Sequence, residues 1–278
     1  MTKRTSKPVA STQDLYKQLE RFTAVHRKSA GRIENVIEDL ADFTLLGCAE
    51  NILAQYPQGR LFSDIKHKLG RYDGNQQAIN DLLAMGDSYL KLIAINPPFT
   101  DCITEMLAEH CNEQMGQYLT PPDVAKLLAH FPDYEQLQRR ARQGLACTIG
   151  DITGCGTGSL LLSMLSHIYE YYPEVIPYVL VEGIDLDPVM TKIAFTQIVL
   201  SGCMHRTAPL GVHIINGNAI TKTRDGVTAF IQNLPGFKAI VPTRDMPLAT
   251  EAITPQMEAV ISQIFGTMSV LDEGEVVN

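Results

Sequence analysis

Apolar residues recur at helical spacing from Ser11 to about Met115, and after about Leu145 they gather into short runs. The stretch "STQDLYKQLERF" opens with Ser11 and places Asp14 three residues on, a pattern that caps a helix start. "RIENVIEDLADFTLLGCAENIL" and "QAINDLLAMGDSYLKLIAI" keep the same period, so both are expected to be amphipathic helices. Gly and Pro in "YPQGR" and "RYDGN" divide them. Beyond Leu145 the runs "LACTIG", "YVLVEGID", "GVHIIN" and "FKAIV" alternate with the helical patterns "SLLLSMLSHIYEYY" and "PVMTKIAFTQIVLSG". Strands separated by helices imply βαβ units and a mostly parallel sheet covered by helices. The chain therefore divides into a helical N-terminal region, 1–110, and an α/β domain, 111–278.

In such a domain a ligand belongs at the first strand-to-helix turn and at the carboxyl ends of the strands. "GDITGCGTGSLLL" supplies that turn, with Gly154, Gly156 and Gly158 at alternate positions. Glycine there lets backbone come close to a ligand with no Cβ in the way. Ser159 stands where a G-x-G-x-x-G dinucleotide fingerprint needs its last glycine, so a nicotinamide or flavin cofactor is not expected. Such glycines alone also suit a turn that serves packing. The second strand ends in "VEGIDLDP", where Asp185 is placed to accept from both hydroxyls of a ribose and Asp187 to start the next helix. The third ends in "INGNAI", where Asn218 can meet an adenine edge. Together these describe an adenosine-containing ligand. Upstream, in "GQYLTPPDVAKLL", Thr120 is expected to cap a helix, Pro121 to take its first position and Asp123 to complete a capping box.

Composition narrows the class further. With 45% hydrophobic and 19% charged residues among 278, the chain reads as an ordinary globular protein. Its apolar runs fall short of the about 18 residues that span a membrane. Six cysteines without a C-x-x-C pair point to free thiols in a reducing cytoplasm. Cys102, His110 and Cys111 have no second cluster to close a tetrahedral set, so no metal is expected. The net charge is −8, yet residues 1–32 hold eight basic side chains against Asp14 and Glu20. That arm can meet phosphates, or be a solvated helix start.

The order "GQYLTPPDVAKLL", "DITGCGTGSLLL", "EGIDLDPVMTKIAFTQIVLSG" and "GNAI" resembles the adenine-N6 DNA methyltransferases, above all the modification subunits of type I restriction systems. Family members read G-x-F-x-T-P, D-P-A-C-G-T-G-G, G-x-E-x-D-P and G-D-x-L at these places. The resemblance implies a methyltransferase-like Rossmann sheet with S-adenosylmethionine as cofactor. It puts Tyr118, Thr120 and Pro121 near the methionine end, Asp151 on the methionine amine, Gly154, Gly156 and Gly158 along the turn, and Asp185 on the ribose. Two departures stand out. Asp151 lies four residues before Cys155 rather than three, with Ile152 in the family position, so either the turn bulges or the amine contact is lost. Asn218 replaces the carboxylate of G-D-x-L with an amide.

The family grips its target amine with an Asn-Pro-Pro-aromatic tetrapeptide after the fourth strand, where Asn and Pro oxygens accept from the flipped base. This chain has Asn96-Pro97-Pro98-Phe99, but ahead of all the other motifs, and only 20 positions before Gly116. We read it as an ordinary entrance to a surface helix. After "GFKAIV" come Pro242 and Thr243, and no Asn or Asp followed by two prolines occurs after the glycine turn. "TPQMEAVISQIFGTMSVL" then reads as an amphipathic helix and "DEGEVVN" as the opening of a fifth strand, so the sheet is expected to be incomplete. No catalytic residue is assigned. The expectation is an adenine-specific DNA methyltransferase relative, inactive alone or one part of a split enzyme. Its expected partners are DNA, a specificity or complementary methyltransferase subunit, or a second copy, without a membrane. The competing reading is a non-enzymatic interaction protein that keeps the fold to bind a restriction–modification complex or DNA. A methyltransferase for small molecules or proteins is a weaker competitor, with only Pro242-Thr243-Arg244-Asp245 to serve it.

Overall fold

The computed structural model of the chain describes residues 11–49, 52, 70–108 and 119–218, and residues 223–232 by their backbone. The N-terminal part holds α1 (Thr12–Val25), the short α2 (Arg27–Ala30), α3 (Ile33–Gly47), α4 (Gln76–Ile95) and α5 (Thr104–Ala108). Ser11 caps α1 as its spacing predicts: its hydroxyl accepts from the Asp14 amide at 3.1 Å and donates to the Asp14 carboxylate. Asn75 caps α4 in the same way, accepting from the Ala78 amide.

Next come α6 (Pro122–Leu128), α7 (Tyr134–Arg142), β1 (Cys147–Asp151), α8 (Ser159–Tyr171), β2 (Val179–Asp185), α9 (Pro188–Met204), β3 (Gly211–Asn218) and β4 (Thr223–Gln232). The strands lie in the order β1-β2-β3-β4. The first three are parallel, joined by α8 and α9, which makes this an α/β fold. β4 runs antiparallel to β3, with Asn218 opposite Thr223 and Gly211 opposite Gln232. That hairpin is a correction, because "TRDGVTAFIQ" shows no clean alternation and was not expected as a strand. The expected strand "FKAIV", the helix at 254–271 and the fifth-strand opening lie outside the described residues, as does "YPQGR".

Burial alternates along β1, with Cys147 and Ile149 inside and Thr148 and Gly150 exposed. Helices thus cover one face of the sheet among the described residues, rather than both. The explanation for α9 lies in its neighbours. It packs against β2 and β3 on one side and against α3 and α4 on the other, and everything from Met190 to Cys203 is buried. A helix enclosed in this way has no solvent face, so its sequence shows no polar stripe. Its polar side chains find partners instead. The ammonium of Lys192 sits 3.1 Å from Glu38 and 3.0 Å from Asp42 of α3.

These contacts join the two regions. The buried residues of the N-terminal helices and of the α/β part form one continuous cluster, from Leu15 to Ile214. A second buried polar group lies beside it, where Asp39 accepts from Arg71 and from the Tyr72 hydroxyl. Burial pushes the Asp39 carboxyl up to about 6, against the lowering by Tyr72 and Arg71. No helix among the described residues is long and apolar enough to cross a membrane.

Candidate functional site

The glycine turn leaves β1 at Asp151 and enters α8 at Ser159. Two hydrogen bonds hold it over the end of β2. The Cys155 amide donates to the Ile184 carbonyl at 2.9 Å, and the Gly156 amide donates to the Asp185 carboxylate at 2.8 Å. Gly158 is the cap of α8 at φ +86°, and a Cβ there would meet the Ala194 Cβ of α9 at 3.1 Å. Only glycine combines that left-handed backbone with that approach. A Cβ on Gly154 would face the Asp185 carboxylate at 3.7 Å, so the absence of side chains leaves that carboxylate uncovered from the turn's side.

Asp185 closes β2. Its second oxygen accepts from the Asp187 amide at 2.9 Å, while the Asp187 carboxylate accepts from the Val189 amide and caps α9. Asp187 thereby starts the helix as expected. Burial pushes the Asp185 carboxyl above the ordinary aspartate range, with the charges of Asp187 and Asp151 adding and the amides of Asp187 and Gly156 opposing. Burial, reinforced by Asp185 and Asp151, likewise raises the Cys155 thiol, so it stays neutral and unreactive.

Asp151 is the last residue of β1, opposite Gly183. Its carboxylate accepts from the Thr153 amide and hydroxyl at 3.2 and 3.0 Å. The extra residue between Asp151 and Cys155 is thus absorbed in the turn, with Ile152 pushed out to 67% exposure. Asp151 stands at the strand end.

Upstream, Leu119 comes against the turn; a Cβ on Gly156 would lie 3.2 Å from its Cδ2. Thr120 and Pro121 follow it directly, and Tyr118 lies outside the described residues. The capping box expected here does not form. Helix α6 starts at Pro122, its cap position falls on Pro121, and no side chain caps it. A residue before proline is kept out of helical conformation, and Pro121 is extended at ψ 143°. Asn218 stands at the far end of β3, two residues beyond Asn216, which lies opposite Asp185.

Several contributors have no motif. The Asn216 amide donates to the Asp185 and Leu186 carbonyls at 3.1 and 2.9 Å, fixing the backbone that presents Asp185. Gln197 of α9 donates to the Thr157 carbonyl at 3.1 Å and accepts from the Cys102 amide at 3.0 Å. Thr157 and Thr104 share a hydrogen bond between hydroxyls. These bonds strap the segment ahead of α5 to the glycine turn. The signal for Asn216 is only its place two residues before the strand end, and Gln197 gives none.

Asn96-Pro97-Pro98-Phe99 belongs to that strap. Asn96 is the C-cap of α4, and its amide donates back to the Leu92 carbonyl at 2.8 Å. Phe99 is 1% exposed, and its amide donates to the Ser201 hydroxyl. The expected surface helix entrance is corrected to a helix exit whose last two residues are buried; α4 stops because Asn96 precedes a proline. With its amide turned onto its own helix, Asn96→Ala should leave cofactor affinity within about twofold of the parent. Calorimetric titration of both proteins checks this, and a larger loss with the fold intact would place Asn96 in the site. Cys102 is buried, and no metal-holding group of three or more His, Cys, Asp or Glu occurs among the described residues.

The profile of the N-6 DNA methylase family matches residues 83–241, more than half of the chain. The chain belongs to the N-6 DNA methylase family. The matched region of this methylase-family chain begins inside α4 and takes in the strap at residues 96–99, the glycine turn, Asp185 and β3. No curated protein and no solved structure gives a significant match to it.

Proposed function

We propose that this N-6 DNA methylase-family chain binds S-adenosylmethionine on the glycine turn of a methyltransferase-type Rossmann sheet. In this reading Asp185 holds the ribose hydroxyls, Asn218 the adenine edge, and Asp151, Thr120, Pro121 and Tyr118 the methionine end. The observation that carries it is the pairing of Asp185 with the Gly156 amide, beside Gly154, in a turn whose glycines place no Cβ over the carboxylate. Each carboxylate oxygen of Asp185 already accepts one amide, and a carboxylate offers about four lone-pair sites, so acceptors remain for two hydroxyls. The donor set also suits the ligand's charge. Asp151, Asp185 and Asp187 gather negative charge beside a cofactor that carries a sulfonium and an ammonium. When bound, the cofactor supplies an electrophilic methyl group; the chain binds and orients it.

The substrate of this reading is adenine in DNA, but the chain does not methylate it unaided. No Asn-Pro-Pro acceptor follows the glycine turn, Pro242 and Thr243 stand where one would be expected, and Asn96 is spent on its helix end. Orienting an amine toward a methyl donor is worth several powers of ten in rate, about 7 kcal/mol or more when the geometry is complete. A complementary methyltransferase subunit supplies the missing grip in the cytoplasm. The test has two arms. S-adenosylmethionine titrated into the purified protein should bind with one site per chain. Tritiated methyl groups should not enter unmethylated genomic DNA above a heat-killed control. Incorporation that Gly156→Asp abolishes would show that other residues of this chain grip the amine, and absence of cofactor binding would remove the site itself.

A further inference from the structure

We infer that the outer surface of α1, α2 and the turn after them is a phosphate-backbone contact for duplex DNA. It lies in residues 12–32, outside the region matched by the methylase family. Helix α1 buries Leu15, Leu19 and Phe22 and exposes Lys17 and Arg21 one turn apart, with Glu20 also exposed; Arg27, Lys28 and Arg32 follow in the chain and are exposed as well. None of Lys17, Arg21, Arg27 and Lys28 forms an ion pair among the described residues, and only Arg32 has a carboxylate nearby, Glu34 at 3.9 Å. Another group of cations among the described residues is partly used. On α7, Arg139 pairs with Asp133 and Glu135, and Arg140 donates to the Ala146 carbonyl.

Charge sets the class of partner. Exposed cations without carboxylate partners give a chain of net charge −8 a local surface that attracts a polyanion, while the rest of the chain repels one. A membrane surface is disfavoured, because a helix that lies on lipid needs its apolar face free, and the apolar face of α1 is buried against α3 and α4. Duplex DNA is the polyanion that the proposed function supplies, and the inference rests on that reading for the choice. The surface is also tied to the methylase region. The Ser88 hydroxyl of α4 donates to Gln18 at 3.1 Å, and a groove of about 230 Å³ between the two helices is lined by Arg21, Phe22, Val25 and Met85. Asp81, which also lines the groove, is engaged with His26 at 2.9 Å and with Gln77.

The test is fluorescence anisotropy with a labelled duplex of about 30 base pairs, titrated with saturating S-adenosylmethionine across a salt series. The variant carries Lys17→Gln, Arg21→Gln, Arg27→Gln and Lys28→Gln together. All four residues are exposed, so its melting curve should match the parent's. If each contacts one phosphate, the slope of log affinity against log salt should fall in magnitude by about 3 to 4, and affinity at moderate salt by at least about tenfold. Affinity for S-adenosylmethionine, read separately by calorimetry, should not move. An unchanged slope and affinity, a parent that does not bind the duplex at low salt, or a parent that prefers phosphatidylserine vesicles each overturns the inference. Loss of cofactor binding in the parent overturns the cofactor site instead and leaves the salt slope as the measure of this surface.

Discussion

Replacing Lys192 with Met should cost the protein about 3–5 kcal/mol of stability, the penalty for stranding buried carboxylates without their cation. The side chains of Lys192, Glu38 and Asp42 are 5%, 8% and 0% exposed, so water cannot take over the role of the ammonium. Burial by itself would lower the Lys192 pKa; Asp42 and Glu38 outweigh it and hold the ammonium above the ordinary lysine range. A lysine raised in the folded state adds stability that is whole below its unfolded value and is lost only as pH climbs through the folded one. Urea unfolding at pH 7 to 8 therefore reads the full contribution. The triple variant Lys192→Met, Glu38→Leu, Asp42→Leu removes the charges together and should recover most of the loss, since an apolar replacement of a buried ion cluster is often neutral. A single variant within about 1 kcal/mol of the parent would mean that α3 and α9 separate enough to admit water.

The cluster also marks the limit of what the sequence makes legible. The period of "RIENVIEDLADFTLLG" announces α3, but it places Glu38, Asp39 and Asp42 on a helix without saying that all three are buried. The partner of Glu38 and Asp42 comes from α9, whose lysine is equally unremarkable in "MTKIAF", and those of Asp39 are Arg71 and Tyr72. Local signals fared well because local physics decides them. The Ser11 cap, the strand–glycine–helix turn and the Asp187 cap each depend on a few neighbouring residues. The misplacements share one cause. Pro121 before Pro122 and Asn96 before Pro97 are both forced out of helical conformation, which moved one helix start and made the other site an exit. β4 was missed because its pairing with β3 is set by tertiary register, which no window of "TRDGVTAFIQ" contains. For the same reason the role of Asn216, and of Gln197 with Ser201 in strapping 99–104 to the turn, became visible only in the fold.

Asp185→Ala should weaken S-adenosylmethionine binding by on the order of 2–4 kcal/mol, the worth of two charge-assisted hydrogen bonds. The geometry gives this substitution two effects. It removes the acceptors proposed for the ribose, and it releases the Gly156 amide, so the turn itself is less ordered. A ligand lacking the hydroxyls separates them. The parent should prefer S-adenosylhomocysteine to its 2′,3′-dideoxy analogue, whereas Asp185→Ala should bind the two about equally, because a loosened turn penalises both alike. Burial raises the carboxyl, so its proton returns at a less acidic pH than for an exposed aspartate. Affinity for the hydroxylated ligand should therefore fall as pH is lowered through that raised value, and the dideoxy analogue should show much less of the decline. A parent that does not distinguish the two ligands at neutral pH would leave Asp185 as a brace for the glycine turn alone and move the ribose elsewhere.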